Sequence, residues 1–249
     1  MSGWPVEYAR RVLSTVDSTN AEAARIAPDM TQPTWILALE QTAGRGRRGR
    51  PWTDPPGNFA ATLVLHPTEA PHLTALRSFV AALALHDAFV TVSGRPEAFA
   101  LKWPNDVLLN GGKVAGILLE SLGAFRGASY LAIGIGVNLI SAPSAAQVEG
   151  RAVGPVSLLS GTGAQVTPEE FLDALAEAYA SYEAQFKTYG FEPIRQAWLA
   201  RAAKLGDVIT ARTGNTERVG TFETLDEHGN LVLRTAQGRE AIPAADVFF

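Results

Sequence analysis

The sequence predicts an α+β domain over residues 1–205, followed by a small β-barrel over residues 206–249. Helix-like and strand-like segments are interspersed along the first part, and 47% of the 249 residues are hydrophobic, enough to build a sizeable core. After Gly206 the chain consists of short strand-like stretches separated by turn residues. This change of pattern is typical of a small all-β module and predicts the barrel.

The elements of the first domain follow from the periodicity of the apolar residues. Leu73, Leu76, Phe79, Val80 and Leu83 have helical spacing and predict a buried helix over residues 71–92. A capping box of Thr167 and Glu170, with proline between them, predicts a helix that runs to about Tyr189. Two more helices are predicted over 18–27 and 192–203. Strands are predicted over 35–40, 58–65, 99–103 and 130–139, with a hairpin over 107–120 that turns at Asn110-Gly111-Gly112.

Composition excludes several classes of protein. The chain has no cysteine, which rules out thiol catalysis, disulfides and thiolate zinc sites, and its four histidines have no metal-ligand spacing. A net charge of −4 is unlike that of most proteins that bind nucleic acid through its phosphates. No signal peptide opens the chain, and no apolar stretch reaches the roughly 18 to 20 residues of a membrane span. We therefore expect a soluble cytoplasmic protein.

The segment from Gln41 to Trp52, QTAGRGRRGRPW, carries three glycines and four arginines and is predicted to be a loop. Glycine lets the backbone approach a ligand, and the planar guanidinium of arginine matches carboxylate and phosphate oxygens. Ordering seven such residues costs roughly 7 to 14 kcal/mol of backbone entropy, so we expect the loop to be loose until an anionic ligand binds. Composition alone fits an RGG-like nucleic-acid arm or a solvated turn equally well. The position between two apolar strands argues against a free arm.

Three further segments carry candidate site residues. In Lys102-Trp103-Pro104-Asn105-Asp106, the proline ends a strand and Asp106 is a candidate ligand for a magnesium ion that bridges nucleotide phosphates, although a simple turn explains the same residues. Lys113 opens an apolar strand and either reaches solvent at the strand end or enters a pocket, and Gly116 permits close approach at mid-strand. Gly134 and Gly136, before Asn138, do not form a dinucleotide fingerprint and by themselves favour close packing of strands.

Taken together, the motifs Ser18-Thr19-Asn20, QTAGRGRRGRPW, KWPNDVLLNGGKVAGILLE and GIGVNL, in this order and spacing, closely resemble the biotin protein ligases. The resemblance continues through GFEPIRQAWL at 190–199 and the C-terminal segment, so it covers nearly the whole chain. It implies a mixed-sheet catalytic domain of the class II synthetase-like biotin/lipoate ligase type, with an SH3-like β-barrel at the C-terminus. It also implies activation of biotin by ATP and Mg²⁺ to biotinyl-5′-AMP, and transfer to a lysine of a biotin carboxyl carrier protein.

The resemblance also assigns site residues. Lys113 and Arg47 are the implied catalytic residues, and Asp106 is the implied magnesium ligand. Biotin contacts are implied for Ser18, Thr19, Asn20, Gln41, Gly44, Arg45, Gly46, Arg47, Lys113 and Gly116. ATP contacts are implied for Arg47, Trp52, Lys102, Asn105, Asp106 and Asn138.

Two departures from the family pattern carry expectations of their own. Only 17 residues precede Ser18, so we expect no winged-helix domain and no DNA binding. Residues 140–156, predicted to form a mobile loop, contain no aromatic residue, whereas the family often covers the adenine with a tryptophan there. A lipoate protein ligase and a non-enzymatic nucleic-acid-binding module are the two alternatives. We expect no membrane partner, and the sequence leaves open whether the chain forms a homodimer.

Overall fold

The computed structural model describes residues 3–52, 55–125, 128–144 and 153–249. Its larger part is a seven-stranded mixed sheet with the strand order β1-β2-β3-β7-β6-β5-β4. Within the described residues, β1 and β2 pair in parallel, and every other neighbouring pair of strands in this sheet is antiparallel. The strands are β1 Ala9–Leu13, β2 Thr34–Ala38, β3 Phe59–Leu65, β4 Phe99–Lys102, β5 Asp106–Leu109, β6 Gly112–Phe125 and β7 Ala128–Val137.

Helices cover both faces of this sheet. They are α1 Thr19–Ile26, α2 Pro71–Ala75, α3 Arg77–Ser93, α4 Leu158–Thr162, α5 Pro168–Tyr189 and α6 Phe191–Leu199. Strand β2 is buried throughout, and its side chains alternate between two cores. Ile36 faces a small cluster under α1, whereas Trp35 and Leu37 face the main core, to which α3 and α5 contribute.

The C-terminal part is a five-stranded antiparallel sheet with the order β11-β10-β9-β8-β12. Its strands are β8 Val208–Thr213, β9 Thr216–Leu225, β10 Leu231–Thr235, β11 Gly238–Ile242 and β12 Asp246–Phe248. Phe222 and Leu233 join the same main core, and the buried Trp103 indole N–H donates to the Gly229 carbonyl oxygen at 3.0 Å. This part therefore packs directly against the larger sheet. The α+β class with an appended β module is confirmed, while the boundary between residues 205 and 206 stays a prediction.

Most predicted elements are present, and two predicted helices differ. The helix predicted over 71–92 is interrupted at Leu76 into α2 and α3, and Leu73 is 40% exposed. The helix predicted to reach residue 203 ends at Leu199, because residues 201–203 leave it to pair with β4: Leu101 N donates to Arg201 O and Ala203 N donates to Leu101 O, both at 2.8 Å. Strand β1 and helix α4 were not predicted.

Two predictions that rest on local sequence motifs are confirmed, one at the start of a helix and one at a hairpin turn. The capping box is present at α5, where Thr167 and Glu170 exchange side-chain and backbone hydrogen bonds. The β5–β6 hairpin turns through Asn110 and Gly111, both with positive φ, as a two-residue turn of the Asn-Gly type requires. Part of the predicted mobile loop, residues 145–152, lies outside the described residues.

The segment Pro71–Ser93 is long and apolar enough to cross a membrane, so the expectation that no stretch reaches this length was wrong. In the fold, 67% of its most apolar window is buried. It therefore serves as a core helical segment of this fold.

Candidate active site

A cavity of about 370 Å³ opens where the sheet, the arginine-glycine loop and the C-terminal sheet meet. Nearly all of the sequence-predicted site residues line it. They are Ser18, Thr19, Asn20, Gln41, Arg45, Gly46, Arg47, Trp52, Lys102, Asn105, Asp106, Lys113, Gly116 and Asn138. Gly44 is the exception: it does not line the cavity, and its carbonyl oxygen accepts from Trp52 N at 2.9 Å, which closes the base of the loop.

A cluster of opposite charges forms at the ends of β4, β5 and β6. The β4–β5 hairpin pairs Lys102 with Asp106, and the Lys102 ammonium lies 4.0 Å from Asp106 Oδ2. The Lys113 ammonium approaches Asp106 Oδ1 to 2.6 Å. Burial lowers the pKa of Lys102, and Asp106 opposes that shift. The β4–β5 hairpin and the bulge at Val114, directly after Lys113, thus gather two cations around one carboxylate.

Asp106 retains capacity to bind a further cation. Within the described part of the chain, Oδ1 is buried and has no partner in hydrogen-bond geometry, although the Lys113 ammonium is close enough for an ion pair. The short contact with the Lys113 ammonium balances the negative charge of Asp106. Because that contact lacks hydrogen-bond geometry, lone pairs of Oδ1 stay unused. Among the described residues, no group of three His, Cys, Asp or Glu side chains surrounds this position. A magnesium ion here would need most of its ligands from a substrate and from water, as is common for this ion.

The arginine-glycine loop, residues 44–52, folds over the cavity. Gly46 N donates to Arg50 O at 2.7 Å. Of the residues between these two, Arg48 and Gly49 each have a positive φ. Arg47 Nη1 donates to Asn105 Oδ1 at 3.1 Å, while Asn105 Nδ2 donates to Ile117 O at 2.6 Å. Burial lowers the pKa of the Arg47 guanidinium, which still carries its charge at neutral pH. Asn105 therefore connects the loop to strand β6.

The C-terminal sheet contributes residues that sequence analysis missed. Arg48 Nη1 lies 2.5 Å from Asp246 Oδ2 at the start of β12, and the guanidinium nitrogens of Arg50 and Arg212 lie at 3.7 and 3.8 Å from the same oxygen. Asp246 and Phe248 also line the cavity. Their sequence context, a short strand at the end of the chain, carried no signal of a site.

The glycines of β6 and β7 make room for site side chains. Gly116 and Gly136 are register partners, and a Cβ at Gly136 would lie 2.4 Å from Trp52 Cε2. A Cβ at Gly134 would lie 2.4 Å from Asn20 Oδ1. The interpretation of Gly134 and Gly136 as strand-packing residues was therefore wrong, because their nearest neighbours are the Trp52 indole and the Asn20 amide.

A polar group surrounds the start of α1. Gln41 Oε1 accepts from the Thr19 backbone N–H at 2.9 Å, and Asn20 Nδ2 donates to Glu120 Oε2 at 2.6 Å. Thr62 is fully buried behind them, 2.8 Å from Thr19 Oγ1 and 2.6 Å from Asn20 Oδ1. Thr62 and Glu120 were not predicted as site residues, since a threonine or a glutamate inside a strand is common in proteins of every function.

Asn138 is pinned by backbone contacts at the cavity wall. Its Nδ2 donates to Val156 O at 3.2 Å and lies 3.5 Å from Lys113 O. Pro143, Val153 and Pro155, from the described parts of the predicted mobile loop, complete this side of the cavity. None of these three residues is aromatic, as expected from the absence of an aromatic residue in the sequence of 140–156.

Comparison with known proteins places this geometry in a family. Residues 9–138 match the biotin/lipoate A/B protein ligase family, and residues 204–249 match the biotin protein ligase C terminal domain. The chain is 58% identical, over 238 residues, to a biotin–[acetyl-CoA-carboxylase] ligase of Paracoccus denitrificans, covering 96% of this chain and 99% of that protein.

Proteins with lower sequence identity to this chain point to the same family. The bifunctional ligase/repressor of Bacillus subtilis is 31% identical over 95% of this chain and 71% of its own length. The biotin protein ligase from Aquifex aeolicus in complex with biotin and ATP superimposes with a TM-score of 0.81 at 26% identity, covering 96% of this chain and 97% of that one. By sequence and by fold, therefore, the chain belongs to the biotin/lipoate A/B protein ligase family.

Proposed function

We propose that this chain activates biotin with ATP to form biotinyl-5′-AMP and transfers the biotinyl group to a lysine of a biotin carboxyl carrier protein. The observation that carries the proposal is a single cavity in which a neutral polar group and a cationic group lie side by side. Asn20 abuts Gly134, and Trp52 abuts Gly136, two residues or about 7 Å further along β7.

Biotin has matching chemistry at its two ends. Its ureido ring is neutral and carries N–H donors and a carbonyl acceptor, which suit the polar side chains at the start of α1. Its carboxylate, and the α-phosphate of ATP, suit the guanidinium of Arg47 and the ammonium groups of Lys113 and Lys102. Trp52 would lie beside the ligand between the two groups. Since Gly116 carries no side chain, the ligand can approach the backbone of β6 closely.

The reaction proceeds in two steps. A biotin carboxylate oxygen attacks the α-phosphorus, a P–O bond to the leaving pyrophosphate breaks, and biotinyl-5′-AMP forms. The neutral amine of a carrier lysine then attacks the biotinyl carbonyl carbon, loses a proton, and displaces AMP. Arg47 and Lys113 would stabilise the negative charge that accumulates on the carboxyl and phosphate oxygens in both transition states.

A magnesium ion fits this arrangement in one position. The buried Asp106 Oδ1, whose lone pairs are not used by a hydrogen bond from the described residues, would hold the ion together with phosphate oxygens of ATP. When bound, the ion neutralises phosphate charge. Lys102, Asn105 and Asn138 would position the nucleotide around it.

Lipoate is disfavoured by the polar group at the start of α1. The dithiolane ring of lipoate offers no N–H or carbonyl group, so it gains no hydrogen bond from the polar side chains that line the cavity at the start of α1, among them Thr19 and Asn20. We therefore propose biotin as the substrate, in the cytoplasm, where ATP and a carboxylase carrier domain would both be available.

The test of this function is transfer to a carrier. Purified protein, ATP, Mg²⁺ and biotin are incubated with a biotin carboxyl carrier domain, and the mass of the carrier is followed. We expect the mass to rise by one biotinyl group, and we expect no product on a carrier whose acceptor lysine is replaced by arginine. Preferential attachment of lipoate in direct competition would contradict the proposal.

A further inference from the structure

Residues 154–156, here called the return segment, lie in an extended pairing beside the start of β6. They pair in parallel with Lys113, whose backbone N–H donates to Gly154 O at 2.8 Å and whose carbonyl oxygen accepts from Val156 N at 3.0 Å. Pro155, which has no N–H, lies between these two partners, so the pairing requires no proton from it. Lys113 therefore binds the return segment through both of its backbone hydrogen-bonding groups.

The end of β7 joins this pairing through Asn138, which is 3% exposed. Its backbone N–H donates to Val114 O at 2.9 Å, and its side-chain Nδ2 donates to Val156 O at 3.2 Å. The chain then continues from Val156 into α4, where Leu158 N donates to Asn138 O at 2.8 Å. The return segment is thus held by contacts to β6 and to the end of β7.

Gly112 makes room for the return segment. A Cβ at this position would lie 2.9 Å from Val156 Cγ1, 3.0 Å from Val156 Cβ and 3.2 Å from Gly154 O. Carbon atoms pack best at about 3.5 to 4.0 Å, and the β-branched valine has little freedom to turn away. The neighbouring Gly111 differs, because its φ of 82° is what the hairpin turn requires, and no atom of the described residues lies within 4 Å of a Cβ built there. Gly111 therefore serves the turn, whereas Gly112 serves the close approach of the return segment.

Both partners in this pairing contribute to the cavity. The side chain of Lys113 lies in it, and so do Pro155 and Val153, the residue before the return segment. A displacement of the lysine backbone would move its ammonium away from the reacting carboxylate and phosphate. We infer that the return segment positions Lys113 for adenylation, and that Gly112 is a positioning residue because it lets this segment reach the lysine backbone. This role rests on the proposed function and specifies how one wall of the cavity and the catalytic lysine are held together.

Gly112→Ala tests this role. The added methyl group must push the return segment away from β6, which weakens its pairing with Lys113. We expect the kcat of adenylation, measured as labelled pyrophosphate incorporated into ATP, to fall about 10- to 100-fold, since a misplacement of about 1 Å can cost about 100-fold. The KM for biotin should stay within about threefold of wild type, because the variant changes nothing at the start of α1.

Two further variants separate a displaced lysine from general damage to the hairpin. Gly112→Ala combined with Val156→Ala removes Cγ1, the atom that the new methyl group would meet first. We expect this double variant to adenylate biotin about 3- to 10-fold faster than Gly112→Ala, because the second change relieves the contact that the first creates. Gly111→Ala is the control, since it strains the adjacent turn at a position with a positive φ. It should lower the melting temperature but keep kcat close to that of wild type.

Hydrogen exchange at the Lys113 amide gives a readout that does not depend on activity. This N–H is bonded to Gly154 O, so it should exchange slowly with deuterium in the wild type. We expect faster deuterium uptake at this amide in Gly112→Ala, and slower uptake again in the double variant with Val156→Ala.

The outcomes distinguish this role from the proposed function. A wild type without biotin-dependent activity would overturn the proposed function, whereas rapid deuterium uptake at the Lys113 amide would overturn the pairing itself. An active wild type whose kcat is unchanged by Gly112→Ala would overturn only the positioning role. That role would also be wrong if Gly111→Ala slowed adenylation as much as Gly112→Ala, or if adding Val156→Ala slowed it further. Either result would assign the loss to a damaged hairpin.

Discussion

Lys113 is the residue whose position bears most directly on the first chemical step. Its ammonium lies inside the cavity, 2.6 Å from Asp106, rather than in solvent beyond the hairpin turn. A cation held in place before reaction stabilises charge that develops on the carboxylate and the α-phosphate. We expect Lys113→Ala to slow adenylation about 100- to 1000-fold, the usual effect of losing one preorganised donor, and Lys113→Arg to slow it less.

Measuring the two half-reactions separately checks this role. Transfer from supplied biotinyl-5′-AMP should fall less than adenylation, because the carboxyl group is already activated. Lys187→Ala, at an exposed lysine of α5 with a 60% exposed side chain, serves as the control and should leave both steps unchanged. If Lys113→Ala leaves both half-reactions within a few-fold of wild type, the lysine is only a turn residue.

Lys102 introduces a dependence on pH. Burial lowers its pKa below that of an ordinary lysine, so the ammonium loses its proton at a lower pH than a surface lysine does. Phosphates bind the charged form, and we therefore expect the KM for ATP to rise as the pH is raised towards about 9 to 10. Lys102→Arg, which stays charged throughout this range, should lack that rise if it binds ATP. A KM for ATP in the wild type that is constant over the same range would contradict the assignment.

At the scale of the loop, the arginines have different partners. Arg47 faces the cavity and bonds Asn105, whereas Arg48 faces the C-terminal sheet and bonds Asp246. We expect Arg47→Ala to release biotinyl-5′-AMP about 10- to 100-fold faster, which corresponds to losing a charged hydrogen bond of about 1.5 to 3 kcal/mol. Arg48→Ala is the matched control and should retain the adenylate better.

Rapid filtration of the enzyme–adenylate complex measures this release, and labelling of bystander lysines gives a second readout. Released adenylate reacts with amines in solution, so stray biotinylation should increase for Arg47→Ala. Equal retention in the wild type and Arg47→Ala would show that Arg47 does not anchor the closed loop.

Elements with a strong local signal were predictable from sequence, and those defined by tertiary contacts were not. The Asn110-Gly111 turn and the Thr167–Glu170 capping box are local, and both are present. The end of α6 depends on residues 201–203 pairing with β4, about 100 positions earlier in the chain, which periodicity cannot reveal. Strand β1 carries Arg10 and Arg11 and lies at the edge of the sheet, so it lacks the apolar run that marks a strand.

The same distinction holds for the site. Glycine-arginine composition and motif order located the loop, the KWPND turn and Lys113, which share one cavity. Thr62, Glu120 and Asp246 are typical residues in their own segments. They contribute to the site only through tertiary contacts: Thr62 and Glu120 contact residues of α1, and Asp246 contacts the arginine-glycine loop.

At the scale of the whole molecule, Asp246 joins the C-terminal sheet to the arginine-glycine loop. One carboxylate oxygen lies 2.5 Å from Arg48 and within 3.8 Å of Arg50 and Arg212. We expect Asp246→Asn to increase the trypsin cleavage rate of the ligand-free loop about 3- to 10-fold, since partly exposed ion pairs in a network contribute about 1 kcal/mol. Biotin and ATP should protect the loop from cleavage in the wild type.

Asp207→Asn is the control for this change. It alters a carboxylate of the same C-terminal region, which pairs with Lys204 at 3.2 Å. Loop cleavage should be as slow in this variant as in wild type. Identical cleavage of the wild type and Asp246→Asn would show that the C-terminal sheet does not restrain the loop.

Every role proposed for these residues depends on the cavity activating biotin with ATP. Biotin-dependent exchange of labelled pyrophosphate into ATP tests this activity most directly, since exchange requires only the first half-reaction and no carrier. We predict exchange when biotin, ATP and Mg²⁺ are all present, with background levels when lipoate replaces biotin. Exchange that is absent with biotin, or that is faster with lipoate, would contradict the proposed activity.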